Sequence, residues 1–264
     1  MSTAVEELVA RNVKGGRLQF TGDAEAAIDQ ALVVFIAVGT PEAADGSTDL
    51  RHVETVAREI GQRMTSYKVI VTKSTVPVGT SDRVRACIDE ELARRGESIR
   101  YSLASNPEFL REGAAIGDFM RPDRVVIGTN GEDDQELAIM KDLYRPLYLN
   151  ETPFVETDIH TAELSKYAAT AFLATKISFI NEMSVLCESI NGDVQAIARV
   201  MGLDNRIGKK FLHAGPGFGG SCFPKDTKSA AHFARDLGHE LAIVEASILA
   251  NERQRLRMVD KVIA

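Results

Sequence analysis

The 264-residue sequence lacks the features that mark several classes of protein. Its only cysteines, Cys87, Cys187 and Cys222, form an odd and widely spaced set, which argues against a disulfide scaffold and fits a reducing cytosol. Lys and Arg number 31 against 38 Asp and Glu, so no basic excess exists for nucleic acid or an anionic membrane. The longest apolar run, residues 31–38, falls far short of the roughly 18 residues of a membrane span.

Metal-ligand spacings and a leader sequence are missing as well. There is no CxxC pair, and the five histidines show no HxxxH spacing, so we expect no metal site. The first residues contain no basic stretch followed by an apolar one, so we expect no signal peptide. Together these absences predict a globular cytoplasmic protein with neither nucleic-acid nor membrane partners.

Strand-like and helix-like segments alternate over residues 1–157. The β-branched and aromatic run 32–38 is typical of a strand buried on both faces. Further strands are predicted at 68–72, 101–104 and 124–128, and helices at 49–65, 81–95 and about 133–144. This alternation predicts βαβ units and a parallel sheet.

From residue 158 onward the pattern is helical. Residues 158–190 predict one long helix that is apolar on more than one side, which indicates burial against a second subunit. Shorter helices are predicted at 194–201, 225–237 and 241–264, around a glycine-rich stretch at 208–220. We therefore expect two domains, an α/β domain over 1–157 and an all-α domain over 158–264.

The glycine-rich stretch contains a G-x-G-x-x-G pattern at residues 215–220. A dinucleotide fingerprint needs a strand before this pattern and a helix that starts inside it. No strand-like run precedes Gly215, and Ser221-Cys222-Phe223-Pro224 delays the next helix. The pattern instead indicates a loop whose backbone closely approaches a ligand, with a flexible connector as the alternative.

Cys222 is the candidate nucleophile. It lies just before Pro224-Lys225-Asp226, where a helix is expected to begin. A helix N-terminus and a neighbouring lysine should lower the pKa of this thiol. Cys87 and Cys187 lie in helical apolar patterns and are expected to be buried. A cysteine hydrolase is the weaker alternative, with His213 as its nearest histidine.

Two further groups of residues carry candidate chemistry. Glu163, Lys166 and Thr170 share one face of the long helix, and spacing alone leaves open whether Lys166 is buried or reaches solvent.

The loops 39–41, 74–77 and 106–113 each follow a predicted strand. Because ligands bind outside the carboxyl ends of parallel strands, these loops could line one crevice, although each alone could be an ordinary connection.

Five motifs in the same order resemble the UDP-glucose/GDP-mannose dehydrogenase family, from about residue 4 to the end. They are Val38-Gly-Thr-Pro41, Lys73-Ser-Thr-Val-Pro77, Asn106-Pro-Glu-Phe-Leu-Arg-Glu-Gly113, Ala162-Glu-Leu-Ser-Lys166 with Ala171-Phe-Leu-Ala-Thr-Lys176, and Gly217-Phe-Gly-Gly-Ser-Cys-Phe-Pro-Lys-Asp226. The resemblance implies an incomplete doubly wound (Rossmann-like) α/β sheet followed by an all-α dimerisation domain. It also implies an NAD-dependent enzyme that oxidises UDP-glucose to UDP-glucuronate in two hydride transfers, and a homodimer through the long helix.

The resemblance also implies a role for each matching residue. Cys222 would attack the intermediate aldehyde, Glu108 would act as acid and base, Lys166 would stabilise oxyanions, and Asp226 would position water or base. The positions that match NAD contacts are Val38, Thr40, Pro41, Ser74, Thr75, Glu112 and Lys225. Those that match nucleotide-sugar contacts are Glu108, Phe109, Leu110, Lys166, Thr170, Arg206, Phe211, Gly215, Gly217, Phe218 and Gly219.

The sequence departs from the family pattern in three ways. Thr170 stands where the family usually has an asparagine, and its shorter side chain would weaken a contact near the reacting carbon. The N-terminal fingerprint with its acidic ribose-binding residue and the C-terminal nucleotide-binding domain are not present. We therefore expect a truncated chain or fragment that binds NAD and UDP-sugar poorly and has an uncovered sheet edge. GDP-mannose or UDP-N-acetyl-mannosamine oxidation and a non-catalytic dimerisation piece are the alternatives.

Overall fold

A computed structural model describes residues 3–131, 134–148 and 152–263. The ten helices of this described part are α1 (Thr3–Lys14), α2 (Ala24–Gln30), α3 (Arg51–Arg63), α4 (Thr80–Arg95), α5 (Ala115–Met120), α6 (Asp134–Tyr148), α7 (Ile159–Ile190), α8 (Val194–Leu203), α9 (Phe223–Asp236) and α10 (Ala242–Ile263). Its five strands are β1 (Val33–Ile36), β2 (Lys68–Thr72), β3 (Tyr101–Ser105), β4 (Val125–Thr129) and β5 (Phe154–Asp158). Across these residues, no helix combines the length and the apolar character needed to cross a membrane.

The chain divides into two compact units. The first comprises Met1–Gly39, Arg51–Ser74 and Gly79–Ala162, and the second comprises Thr40–Leu50, Thr75–Val78 and Glu163–Ala264. The first unit contains the sheet and the second is helical apart from its loops. The α/β class followed by an all-α region is thus confirmed, whereas a single domain boundary at residue 157 stays a prediction.

The sheet is in strand order β1-β2-β3-β4-β5 and is mostly parallel. β3 and β4 pair antiparallel, with Ala104 opposite Thr129, and this reversal differs from the fully parallel sheet predicted. β5 is a strand that the sequence pattern did not indicate, and it pairs parallel to β4. The predicted helix start at Asp133 lies outside the described residues.

The core of the first unit lies under the centre of the sheet. β2 is buried along its whole length, because Val69, Ile70 and Val71 are fully covered. One face packs against α6, whose Met140 joins the same apolar cluster. β1 forms one edge of the described sheet and is mainly half-buried, which corrects the expectation of burial on both faces and fits the expected uncovered edge.

Two glycines allow main-chain segments of the first unit to approach closely. A Cβ on Gly61 of α3 would lie 2.9 Å from Ile88 O of α4. A Cβ on Gly128 of β4 would lie 2.5 Å from Ala162 Cβ and 2.8 Å from Asp158 O. Both distances are too short for a side chain, so these glycines set the spacing between neighbouring elements.

Candidate functional site

In the first unit, the loop after β2 is bonded to the segment after β1. Ser74 Oγ donates to Val38 O at 2.6 Å, and the Ser74 N–H donates to Ile36 O at 3.2 Å. The structure therefore brings together Val38 and Ser74, two of the predicted cofactor-binding residues. They lie at the carboxyl ends of parallel strands, where ligands of α/β proteins bind.

Asn106 fixes the start of the loop that carries Glu108. Its N–H donates to Thr72 O at 2.9 Å, and its Nδ2 donates to Val126 O at 2.8 Å. Its Oδ1 accepts from Lys73 Nζ at 3.0 Å and from the Tyr144 hydroxyl. Burial raises the pKa of Tyr144 to about 12, so this hydroxyl stays a donor. Each polar group of the Asn106 side chain thus has a partner.

The rest of this loop is held by its own side chains. Glu108 Oε2 accepts from the Leu110 N–H at 2.5 Å. The Arg124 guanidinium lies 3.7 Å from the centre of the Phe109 ring, and desolvation lowers the pKa of Arg124. Glu108, Phe109 and Leu110 are half-buried, whereas Glu112 is exposed. The predicted acid–base residue is therefore accessible on an ordered loop.

In the second unit, the segments 40–50 and 75–78 bond to each other and to the helices. Thr40 Oγ1 donates to Thr75 O at 2.9 Å, and Pro41 beside it is exposed. Further along, Thr48 Oγ1 lies 2.7 Å from Ser229 Oγ of α9, which donates to the Tyr167 hydroxyl of α7 at 3.1 Å. These buried hydroxyls connect the segment that follows Thr40 to both helices.

The face of α7 that carries the candidate polar residues is buried. Glu163 is 2% exposed, Lys166 6% and Thr170 8%. This decides the question that spacing left open, because Lys166 does not extend into solvent. A buried lysine needs a partner or a task, and a role for Lys166 in the chemistry stays a prediction.

Cys222 is the N-cap residue of α9, with Pro224 in the first turn as predicted. It is partly exposed, and its Sγ lies 3.5 Å from Ser221 Oγ. Cys87 and Cys187 are both buried, as predicted, and burial raises the pKa of the Cys87 thiol. Of the three thiols, Cys222 is the accessible one. His213, the partner that a cysteine hydrolase would need, is exposed.

Asp226 lies one turn into α9 and is only 1% exposed. Lys225 Nζ is 2.8 Å from its Oδ1, an ion pair by distance that does not meet hydrogen-bond geometry. Within the described residues, neither carboxylate oxygen of Asp226 nor the Nζ of Lys225 has a hydrogen-bond partner. Buried polar groups are normally bonded, so these atoms are candidates for contact with a ligand or water.

The loop 215–220 is not a dinucleotide fingerprint. It follows α8 and a turn rather than a strand, and α9 begins only at Phe223. Phe211 adopts φ +64°, an uncommon conformation for a non-glycine residue, and its ring lies 6.1 Å from that of Phe223. Arg206 is exposed and bonded to Asp204 at 2.6 Å.

Sequence reasoning missed three buried carboxamides that bind this loop. They are Asn181 of α7 and Asn251 and Gln254 of α10. Each lies in a helix that carries several other polar residues, and nothing in the local pattern sets it apart. No group of three or more His, Cys, Asp or Glu side chains in the described part of the chain is arranged to hold a metal ion.

Two family models match the chain in succession. Residues 2–148 match the NAD binding domain of the UDP-glucose/GDP-mannose dehydrogenase family, and residues 160–253 match the central domain of the same family. The two matches together cover most of the sequence.

Curated and solved relatives are similar along nearly the whole chain. A UDP-glucose 6-dehydrogenase of Rhizobium meliloti is 52% identical over 98% of this chain and 59% of its own length. A UDP-glucose dehydrogenase structure from Pyrobaculum islandicum has a TM-score of 0.90 at 42% identity, covering 96% of this chain and 57% of its own. A GDP-mannose dehydrogenase structure from Pseudomonas aeruginosa has a TM-score of 0.72 at 30% identity, covering 100% of this chain and 60% of its own. The chain thus spans less than two thirds of the length of these relatives.

Proposed function

The chain belongs to the UDP-glucose/GDP-mannose dehydrogenase family, and we propose that it acts in the NAD-dependent oxidation of UDP-glucose to UDP-glucuronate. The relatives named as UDP-glucose 6-dehydrogenases support this choice of sugar. The observation that carries the proposal is the partly exposed thiol of Cys222 at the N-terminus of α9, four residues before a buried carboxylate without hydrogen-bond partners in the described chain.

The first oxidation converts the C6 alcohol of the sugar into an aldehyde. The hydroxyl proton passes to a base, which we assign to Glu108. The buried ammonium of Lys166 stabilises the negative charge that develops on O6. C6 also loses a hydride in this oxidation.

The second oxidation proceeds through the sulfur of Cys222. The thiolate adds to the C6 aldehyde and forms a C–S bond, and the resulting oxyanion takes up a proton to give a thiohemiacetal. Loss of a second hydride and of the hydroxyl proton leaves a thioester. Water then adds to this carbonyl, the C–S bond breaks, and the carboxylate and the free thiol are released. We assign Asp226 to the positioning of this water or of the base.

NAD supplies the hydride acceptor for both steps when it is bound. The residues proposed to hold it are Val38, Thr40, Pro41, Ser74, Thr75, Glu112 and Lys225. Their chemistry fits a dinucleotide, because backbone and hydroxyl groups suit ribose and amide, and a lysine suits phosphate. Lys225 Nζ is buried and lies 2.8 Å from Asp226 Oδ1 without hydrogen-bond geometry, which leaves its N–H groups available to a ligand.

We assign the nucleotide sugar to three parts of the chain. They are the half-buried Phe109 and Leu110, the buried Thr170, and the glycine-rich loop with its neighbours Arg206 and Phe211. The loop contributes Gly215, Gly217, Phe218 and Gly219. Thr170 offers a short hydroxyl near the reacting carbon, so we expect a weaker contact there than the longer asparagine side chain would give.

The test is NADH formation by the 264-residue chain with UDP-glucose, GDP-mannose and UDP-N-acetyl-mannosamine in parallel. Because we expect this chain to bind NAD and UDP-sugar poorly, we expect slow turnover of UDP-glucose, with two NADH formed per sugar. If another nucleotide sugar is turned over rapidly and UDP-glucose is not, the proposed substrate is wrong but the proposed oxidation chemistry stands. Absence of both turnover and NAD binding by calorimetry would favour a non-catalytic dimerisation piece.

Cys222→Ser separates the two oxidations. Because serine cannot form the thioester, UDP-glucuronate formation should fall by more than about 10³-fold. The NADH formed per sugar should drop to one or less, measured by absorbance and chromatography. The control is Cys187→Ser, which removes a buried thiol of the same unit and should leave turnover per folded molecule unchanged.

We also propose a homodimer that buries α7. Several of its large apolar side chains remain exposed in the single chain, with Phe172 at 67% and Ile190 at 75%. Exposed apolar surface of this extent is typical of an interface. Sedimentation velocity should give a dimer. A cytoplasmic location is likewise proposed, and three free cysteines fit a reducing compartment.

A further inference from the structure

The backbone of the glycine-rich loop is bound by side chains from two helices. Asn251 of α10 accepts from the Phe218 N–H through Oδ1 at 2.6 Å and donates to Phe218 O through Nδ2 at 3.0 Å. One carboxamide therefore satisfies both polar groups of Phe218, as a neighbouring strand would. Asn251 is 5% exposed, so these bonds are shielded from water.

Gly215 is held in the same way at the other end of the loop. Its N–H donates to Asn181 Oδ1 of α7 at 2.8 Å. Its carbonyl accepts from Gln254 Nε2 of α10 at 2.7 Å. Four backbone groups of a loop without regular structure are thus satisfied by three buried side chains.

Gly217 lies between these two anchor points and shows that the fit is tight. Its φ is +111°, and a Cβ there would lie 2.4 Å from Asn251 Oδ1. The glycine is therefore needed for close approach to the carboxamide rather than for flexibility. The Phe218 ring, 6% exposed, lies 6.0 Å from the ring of Phe223, the residue after the thiol.

We infer that Asn251, together with Asn181 and Gln254, is a positioning residue that fixes residues 215–218 in one conformation before the nucleotide sugar binds. The inference rests on the proposed function, in which this loop contacts the sugar nucleotide. Ordering a backbone residue costs conformational entropy, so a loop that is ordered in advance binds its ligand more tightly. Asn251 acts through the loop and touches no reacting atom.

The test compares Asn251→Ala with Ser247→Ala. Ser247 lies one turn earlier on α10, is also 5% exposed, and donates to Thr175 Oγ1 of α7 at 3.0 Å instead of to the loop. In Asn251→Ala, the amide hydrogen of Phe218 should exchange at least tenfold faster by NMR. The UDP-glucose concentration that half-protects Cys222 from iodoacetamide should rise at least tenfold. In Ser247→Ala both values should stay within twofold of the wild type.

The inference is overturned if Asn251→Ala leaves Phe218 exchange and UDP-glucose protection within twofold, or if Ser247→Ala changes both equally at the same loss of stability. Should Asn251→Ala not fold, Gly217→Ala perturbs the same contact from the loop and should act in the same direction. If UDP-glucose does not protect Cys222 in the wild-type chain, the proposed function fails at this site. The exchange rates of Gly215 and Phe218 then still decide whether the carboxamides fix the loop.

Discussion

Asn106 and Asp226, one buried polar side chain in each unit, differ in how their polar atoms are satisfied. Asn106 of the first unit is 2% exposed and all its side-chain groups are bonded, to β4, to Lys73 and to Tyr144. Asp226 of the second unit is 1% exposed, and neither carboxylate oxygen has a hydrogen-bond partner among the described residues. The hydrogen bonds of Asn106 stabilise the fold, whereas the carboxylate oxygens of Asp226 can still accept hydrogen bonds from a ligand.

The largest expected effect is a loss of turnover in Asp226→Asn, which tests this contrast directly. The amide keeps the shape but loses the charge, so turnover should fall by about 10²-fold or more. The free energy of unfolding should also fall, by about 3 kcal/mol, because the buried ion pair with Lys225 is lost. NADH formation and urea unfolding measure the two quantities.

The control for Asp226→Asn is Asp236→Asn on the same helix. Asp236 is exposed and pairs with His232 at 3.1 Å. It should change neither turnover nor stability appreciably. Unchanged turnover per folded molecule in Asp226→Asn, beside a loss of stability, would mean that Asp226 is structural, and the contrast between the two side chains would disappear.

The next effect concerns Asn106→Ala in the first unit. The change leaves Val126 O, Lys73 and the Tyr144 hydroxyl without their bonds to this side chain, so the free energy of unfolding should fall by about 2–4 kcal/mol. Urea unfolding measures it. Asn12→Ala, which removes a partly buried bond to Leu8 O within α1, is the control and should cost about 1 kcal/mol or less. Equal costs would contradict the structural role of Asn106.

The smallest effect is a loss of stability at alkaline pH, to which one buried tyrosine of each unit should contribute. Burial raises the pKa of Tyr144 and of Tyr167 to about 12 each, above the value of about 10 expected in the unfolded chain. Between these values the unfolded state binds fewer protons, so stability falls as pH rises from about 10 toward 12. Each tyrosine should contribute about 1 kcal/mol per pH unit to this loss.

Tyr144→Phe and Tyr167→Phe should each flatten the dependence, and thermal unfolding at pH 9 and pH 11 tests this. Below pH 10 neither tyrosine contributes a slope. A variant whose stability falls as steeply as that of the wild type would show that the pKa of the tyrosine in question is not raised in the folded chain.

Local patterns predicted the elements that have a continuous apolar run or a long helical period. The runs of β1 and β2 and the long apolar α7 were found because their hydrophobic residues follow one period. β5 was missed because Phe154–Asp158 is mostly exposed or half-buried and so lacks a continuous apolar run. α2 and α5, with 7 and 6 residues, are too short to show a helical period.

The sequence predicted those site residues whose role depends on their neighbours in the sequence. Pro224 and Asp226 located the start of α9 and hence Cys222 at its N-terminus. The antiparallel pairing of β3 with β4 and the bonds of Asn251 to Phe218 depend on residues distant in sequence. No local period encodes such contacts, so the carboxamides that hold the loop emerged only from the structure.

The close approach at Gly128 limits how this protein can be varied. A side chain there would meet Ala162 Cβ at 2.5 Å, an obstacle that glycine at position 162 would remove. It would also meet Asp158 O at 2.8 Å, and that obstacle is main chain, which no second-site substitution deletes. If β4 is randomised in a combinatorial library, every folded variant should therefore carry glycine at position 128, even under weak selection.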